Sequence, residues 1–239
     1  GEVAVEYGVT REMQDEWALG SQEKYAKAFA EGKFKVGEEL MPVVIPQKKD
    51  DPIVIEKDES PRKTSMEALA KLKTVYGSPT VTAGNAPPIS AGASAILFMT
   101  REKAEERGLK PLATIVATVA SATAPRGIAT IPAYTIEKVL SRAGMTVDQM
   151  DMIEINEAFA AMPLVSTKIL ARGDEKKWKE LKAKTNVNGG AIAIGHPVGA
   201  SAARITMTIA YELRRRGGGY GVAAICGGLA QGEAVVVKV

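Results

Sequence analysis

Two kinds of side chain are nearly missing from this sequence: among 239 residues there is one histidine, His196, and one cysteine, Cys226. A lone cysteine closes no disulfide within the chain. Without a CxxC pair or a second histidine, neither the zinc motifs nor a multi-histidine metal site can be assembled, so no metal is expected. This cysteine usage fits a reducing compartment, and a cytoplasmic location is the expectation. Excess charge of one sign is missing too: 31 Lys and Arg against 28 Asp and Glu leave a net +3, which makes no electrostatic case for nucleic acid or an anionic membrane. Long apolar runs are absent, since stretches such as AGASAILFM at 91–99 fall far short of the ~20 residues that cross a bilayer. No membrane span is expected. No basic-then-apolar leader opens the chain, and its first residues, GEVAVEYG, read as the middle of something. What is present is a 46% hydrophobic composition, enough to bury a core in one large or two ordinary domains.

Periodicity divides the chain. From Thr10, a cap candidate, TREMQDEWALGSQEKYAKAFAEGKF places Met13, Trp17, Tyr25 and Phe29 at mostly four-residue spacing, which predicts an amphipathic helix closing near Gly32. Residues 40–63 hold two short β-like runs, LMPVVI and PIVIE, around a charged turn, in a polar setting poorly suited to a central sheet. A short helix at 65–76 follows. Then come a strand entering a tight loop in TVTAGNAPPISAG, an apolar run at 93–99 and a charged helix at 101–107. Beyond these, strands and helices alternate: LATIVATVA, IPAYTIEKVLSRAG, DMIEIN, EAFAAMPLVSTKILARG, ASAARITMTIAYELRRRG, GVAAIC and EAVVVKV. This pattern predicts a layered α/β domain. The last two strands are joined by only CGGLAQG, so they should be antiparallel and the sheet mixed.

Three loops carry polar groups suited to chemistry. In DMIEINEAFA, Asn156 ends a strand; it either caps a helix starting at Glu157 or presents an amide at the C-terminal sheet edge, where α/β proteins bind ligands. Pro163 predicts a kink in that helix. In NGGAIAIGHPVGAS, glycines around His196 leave space for a substrate, and Pro197 stiffens the adjoining residue. In YGVAAICGGLAQG, Cys226 is either a buried, inert thiol or an acid/base group, with the Gly227 and Gly228 amides aimed at an oxyanion. An unperturbed thiol beside an imidazole would exchange protons near neutrality.

Together these motifs are more specific than any one of them. NEAFA at 156–160, NVNGGAIAIGHPVGASAARI at 186–205 and CGGLAQG at 226–232 resemble the thiolase family of acyl-CoA:acetyl-CoA acyltransferases, with TAGNA at 82–86 as a further match. The likeness covers essentially the whole chain and is weakest at 40–63 and 172–183. It implies an α/β fold of layered αβαβα architecture with a mixed five-stranded sheet and an inserted α+β loop domain. On that basis residues 1–88 form an incomplete, CoA-binding loop domain, 89–109 a strand and helix of the N-terminal half, and 110–239 the C-terminal half.

The resemblance implies thiolysis of a 3-ketoacyl-CoA, or the reverse Claisen condensation, through an acyl-cysteine. His196 is similar to the histidine that activates the nucleophile and helps hold the thioester oxygen in an oxyanion hole, Cys226 to the acid/base cysteine, and Asn156 to the asparagine that positions a water in one oxyanion hole. The Gly228 amide belongs to the other hole, and Ala86, Pro87 and Phe159 are similar to substrate-contacting positions. Coenzyme A and acyl-CoA are the implied substrates, with no tightly bound cofactor. Cys226 cannot be both acid/base and nucleophile, so the nucleophilic cysteine is expected on a segment or partner subunit outside this sequence, within a homo- or hetero-oligomer, and the isolated chain is expected to be inactive. The chain also departs from the family. Pro87 and Pro88 follow TAGNA where the family often has a serine contacting pantetheine, and Pro87 brings neither hydroxyl nor backbone donor. Leu229 and Ala230 interrupt the usual glycine run. RGDEKKWKE at 172–180 reads as a solvated surface insertion. A non-catalytic acyl-CoA-binding or scaffolding subunit on the same fold is the alternative, and a ketoacyl-ACP synthase a weaker third.

Overall fold

A computed structural model describes all residues, 1–239. Helix α1 (Glu2–Glu6) leads into α2 (Arg11–Ala30), where the Thr10 side chain accepts from the Met13 amide and caps the helix as the sequence predicts. The side chains α2 buries are Gln14, Asp15, Ala18, Ser21, Gln22, Tyr25 and Ala28, while Met13 and Trp17 are only half-buried. The inward face is therefore largely polar, and its groups serve as hydrogen-bond partners for the loops described below. Strands β1 (Val43–Ile45) and β2 (Ile53–Ile55) form an antiparallel hairpin apart from the main sheet. Helix α3 (Met66–Ala70) is shorter than 65–76, because the chain leaves it for an antiparallel bridge between Thr74 and Thr82.

The strand that the resemblance implies ahead of the helix within 89–109 does not form, even over the apolar run at 93–99. No segment of this chain lies alongside 93–99 to complete a ladder, and a strand without a ladder leaves its backbone groups unpaired. Helix α4 (Arg101–Glu106) follows it.

The main sheet runs β3 (Thr114–Ala122), β6 (Gln231–Lys238), β5 (Tyr220–Gly227), β4 (Met152–Ile155). β5 is antiparallel to β6 and parallel to β4, so the mixed sheet is as expected. A fifth position is marked by Thr185, which extends the β4 edge through a parallel bridge to Ile153.

Period-two alternation sends side chains to opposite faces. Ile153, Ile155, Val222, Ala224 and Val236 meet α5 (Ile131–Ala143) and α6 (Ala161–Leu170) in the larger core. Met152, Ala223 and Val237 meet Ile205, Ile209 and Leu213 of α9 (Ser201–Arg215) on the other face. Between α6 and α9 lie α7 (Glu175–Ala183) and the single turn α8 (Ala191–Ile194). At β3 the α9 face is uncovered, leaving an apolar groove of about 960 Å³ lined by Ile96, Phe98, Ile115, Val119, Ile205 and Val235.

Two further expectations are corrected. Asn156 caps no helix, since α6 begins four residues later than anticipated, and Pro163 therefore sits in its first turn, where a missing N–H costs nothing and no kink arises. The 172–180 segment is not merely solvated. It contains most of α7, capped by Asp174 and anchored by Trp178, which is 5% exposed and donates its indole N–H to Thr167 Oγ1 at 3.0 Å.

Candidate active site

The loops converge at the C-terminal edge of the parallel β4–β5 pair. Ile155 lies opposite Ala224, and the Asn156 amide donates to the Ala224 carbonyl at 3.0 Å, so Asn156 leaves β4 beside the end of β5 that carries Cys226. Met152, Glu154 and Asn156 share the α9-facing side by alternation. The loop between α8 and α9 brings His196 to that side, with Asn156 Nδ2 and His196 Nε2 at 3.2 Å. The other imidazole nitrogen, Nδ1, lies 2.6 Å from Ser201 Oγ. Burial, and secondarily the positive charge of Arg204, hold the His196 pKa below its ordinary value, so the ring is neutral at neutral pH, the form a base requires.

Two glycines allow this approach. Gly195 has φ +96°, and a methyl there would overlap Ser90 Oγ; a methyl on Gly190 would lie 2.5 Å from the Glu157 carboxylate. Ser90 accepts from the His196 amide at 3.2 Å and donates to the Pro88 carbonyl at 2.8 Å, tying the double-proline loop to the histidine loop. On its other side that loop is held by Asn85, whose carbonyl accepts from the Ala160 amide at 2.9 Å and whose side chain donates to Asp15 at 2.9 Å. Ala86 is buried, Pro87 and Phe159 are half-buried, and all three lie on loops joined by the Asn85–Ala160 bond.

Cys226 differs from the sequence-based expectation. The imidazole nitrogens are taken by Asn156 and Ser201 rather than by the thiol, and burial raises the Cys226 pKa to about 11. In this state it is a protonated thiol, with its proton available to give. Gly228 begins the turn after it, in open space, while Leu229 (74% exposed) and Ala230 both take φ of +57° where glycine would be unstrained.

Four groups at the centre of this arrangement were not singled out from sequence. Glu157, fully buried, accepts from Trp17 Nε1 (2.9 Å), Ser21 Oγ (2.8 Å), Asn186 Nδ2 (3.0 Å) and the Ile192 amide (3.0 Å). Asn186 also pairs with both backbone groups of Ile155, at 2.9 and 2.8 Å. These bonds clamp α2, the end of β4 and the start of the histidine loop to one another. Ser201 is the third. The only sequence signal was that all three stand inside or beside the recognised motifs.

Glu154 is the fourth. It is 0% exposed, neither carboxylate oxygen has a hydrogen-bond partner, and the nearest cation, Arg204 Nη1, is 3.5 Å away. Burial raises its pKa from 4.5 to about 8; Arg204 and Lys24 oppose that shift, while Glu157 and Glu39 add to it. Between these pH values the folded state keeps a proton that the unfolded chain has lost. Unfolding free energy should therefore fall as pH rises from about 4.5 to 8, by a few kcal/mol in total. Glu154→Gln should flatten the decline in urea midpoints across this range. It should leave the decline at lower pH that belongs to Glu39, whose pKa burial raises to about 6, and to Asp58, also raised by burial, against the opposing rise from His196, whose pKa burial lowers. An unchanged slope in the variant would show that Glu154 is not the titrating group.

Comparison with known proteins agrees with this geometry. Residues 1–102 match the family model for the thiolase N-terminal domain and residues 109–239 that for the thiolase C-terminal domain. The chain is 49% identical over 231 residues to a protein of Mycolicibacterium smegmatis named probable acetyl-CoA acetyltransferase, with 96% of this chain and 57% of that protein covered. It is 44% identical over 238 residues to a beta-ketoadipyl-CoA thiolase of Acinetobacter baylyi, with 99% and 57% covered. Among solved structures it resembles the acetyl-CoA acetyltransferase of Bacillus anthracis (TM-score 0.88, 37% identity, covering 99% of this chain and 58% of that one). It also resembles human mitochondrial 3-ketoacyl-CoA thiolase in complex with CoA (TM-score 0.85, 36% identity, covering 99% and 57%). The chain thus spans a little over half the length of these relatives. With both family models matched and the motif loops gathered at one sheet edge, the chain belongs to the thiolase family.

Proposed function

We propose that this chain supplies the histidine, oxyanion and acid/base groups of an acyl-CoA:acetyl-CoA C-acyltransferase. The nucleophilic cysteine comes from residues outside these 239. The observation that carries the reading is the Asn156–His196–Ser201 chain: a neutral imidazole with one nitrogen 2.6 Å from a hydroxyl and the other 3.2 Å from a side-chain amide nitrogen.

In thiolysis, Nε2 of His196 takes the proton of the nucleophilic thiol, and the resulting thiolate attacks the 3-keto carbon. The Cα–Cβ bond breaks. The shortened acyl group stays on the cysteine, and the acetyl-CoA enolate takes the Cys226 proton. Free CoA then gives its thiol proton to the Cys226 thiolate and attacks the acyl-cysteine, and the departing cysteine thiolate takes back the proton held on His196, so both groups return to their starting forms. On this reading Asn156 and the Gly228 amide hold the oxyanions, a contribution that in acyl transfer can reach ~10²–10³-fold per donor. CoA, acyl-CoA and a nucleophile-bearing thiolase segment or subunit are the partners this reading requires. The uncovered apolar groove beside β3 supports an additional packed segment there.

The test is a thiolysis assay with acetoacetyl-CoA, run on the chain alone and on the chain joined by a nucleophile-bearing N-terminal thiolase segment. Turnover is expected only in the second case. Absence of turnover in both, with CoA still bound, would favour the second reading, a non-catalytic acyl-CoA-binding subunit, for which the Pro87–Pro88 pair in the CoA loop is the supporting feature.

A further inference from the structure

We propose that Ser201 is a positioning residue that holds His196 as the Nδ1–H tautomer, so that Nε2 is the basic nitrogen. Ser201 is the first residue of α9, 2% exposed, and its hydroxyl lies between two groups: His196 Nδ1 at 2.6 Å and the Pro197 carbonyl at 2.9 Å. A hydroxyl has one proton to give and the carbonyl can only accept. The Pro197 carbonyl also accepts from the Ala200 and Ser201 amides at 2.9 and 3.1 Å, so the Asn156 side points to the ring proton's place: with the Asn156 amide donating to Nε2, Nδ1 carries the proton, Ser201 Oγ accepts it, and the hydroxyl proton goes to Pro197. Nε2 is then unprotonated and accepts from Asn156 Nδ2 at 3.2 Å, so every bond in the chain joins a donor to an acceptor.

The opposite tautomer is worse on two counts. An Nε2–H would face the Asn156 amide nitrogen, itself a donor. Turning the Asn156 amide to relieve this would place its NH₂ where Oδ1 now lies, a buried position with no hydrogen-bond partner. A buried carbonyl oxygen without a partner is tolerated more readily than a buried NH₂ with two unmet protons. Ser201 also makes the arrangement self-contained, because His196, Pro197 and Ser201 stand within one loop and the first turn of one helix. The importance of the tautomer for catalysis rests on the acyl-transfer reading above; the tautomer itself does not.

Because His196 is the only histidine, ring-¹⁵N-labelled histidine gives one pair of ring nitrogens, and long-range ¹H–¹⁵N correlation above the titration of the ring reads the tautomer directly. The native chain should show a pyrrole-type Nδ1 and a pyridine-type Nε2. Ser201→Ala should shift both signals toward the Nε2–H form, and Ser201→Thr, which keeps the hydroxyl, should restore the native pattern. If the alanine variant does not fold, Ser201→Cys, a weaker partner of similar size, should give signals averaged between the two forms. An Nε2–H tautomer in the native chain overturns the proposal, as does an unshifted spectrum in the folded alanine or cysteine variant. In the complemented thiolysis assay, Ser201→Ala should lower kcat about tenfold with KM unchanged, the scale of one lost hydrogen bond. A native Nδ1–H tautomer in a protein without turnover would count against the acyl-transfer reading alone.

Discussion

Glu157→Ala should cost on the order of 4 kcal/mol or more, enough to leave the isolated chain largely unfolded at moderate urea. Hydrogen bonds to a charged group contribute about 1.5–3 kcal/mol each, and the losses here are not additive, because all four donors share one carboxylate. The larger effect is what remains. Trp17 Nε1, Ser21 Oγ, Asn186 Nδ2 and the Ile192 amide would be stranded around a cavity from which water is largely excluded, and each buried donor without a partner costs about 1–3 kcal/mol. Domains of this kind have only ~5–15 kcal/mol of total stability. Glu157→Gln should cost less, since one oxygen still accepts, but its NH₂ would face donors. The measurement is urea unfolding, read as a fall in midpoint at constant slope. A loss below about 1 kcal/mol for the alanine variant would mean that Glu157 is not the clamp inferred here.

The second large effect concerns Cys226. In the complemented enzyme, Cys226→Ala should reduce turnover by ~10²–10⁴-fold, the range for a positioned acid/base, while leaving thermal stability and CoA affinity near native. A binding subunit would show no such separation. The pKa of about 11 adds a pH test. Cleavage needs the thiol as proton donor, and this form prevails across the neutral range, so its dependence on Cys226 protonation should be flat from pH 6 to 9. Condensation passes through the same transition state with no net proton released, so it should show the same flat profile. A Cys226→Ala enzyme with native turnover would remove Cys226 from the acid/base role.

The contrast between Asn156 and Glu157 shows how far local patterns reach. Asparagine at the end of a strand before an apolar run is a good cap signal, and it misleads here because the four residues that would have formed the first turn are committed elsewhere. Glu157 turns inward to its four donors, and the Ala160 amide bonds to Asn85, 75 positions away by sequence number. Trp178 misleads in the opposite direction. Its neighbours Lys176, Lys177, Lys179 and Glu180 make the segment read as solvated, but a single tryptophan donating to Thr167 fixes the helix to the core. For 93–99 the apolar run carries strand propensity, but a strand exists only when another lies beside it.

What the sequence by itself determined is the set of reactive groups and the order of elements: one imidazole in a glycine loop, one thiol at a strand end, one amide after NEAFA's strand, and a β/α alternation that folds into a mixed sheet. Side-chain chemistry and periodicity are local properties, so they can be read locally. Only the tertiary structure decided which partners each nitrogen of His196 meets, that burial raises the Cys226 pKa, that Glu154 keeps its proton, and that Glu157 joins the loops. Each of these depends on burial and on partners remote in the chain, the most distant being Trp17, 140 positions before Glu157. Desolvation and hydrogen-bond direction have no value until the chain has folded and those partners meet.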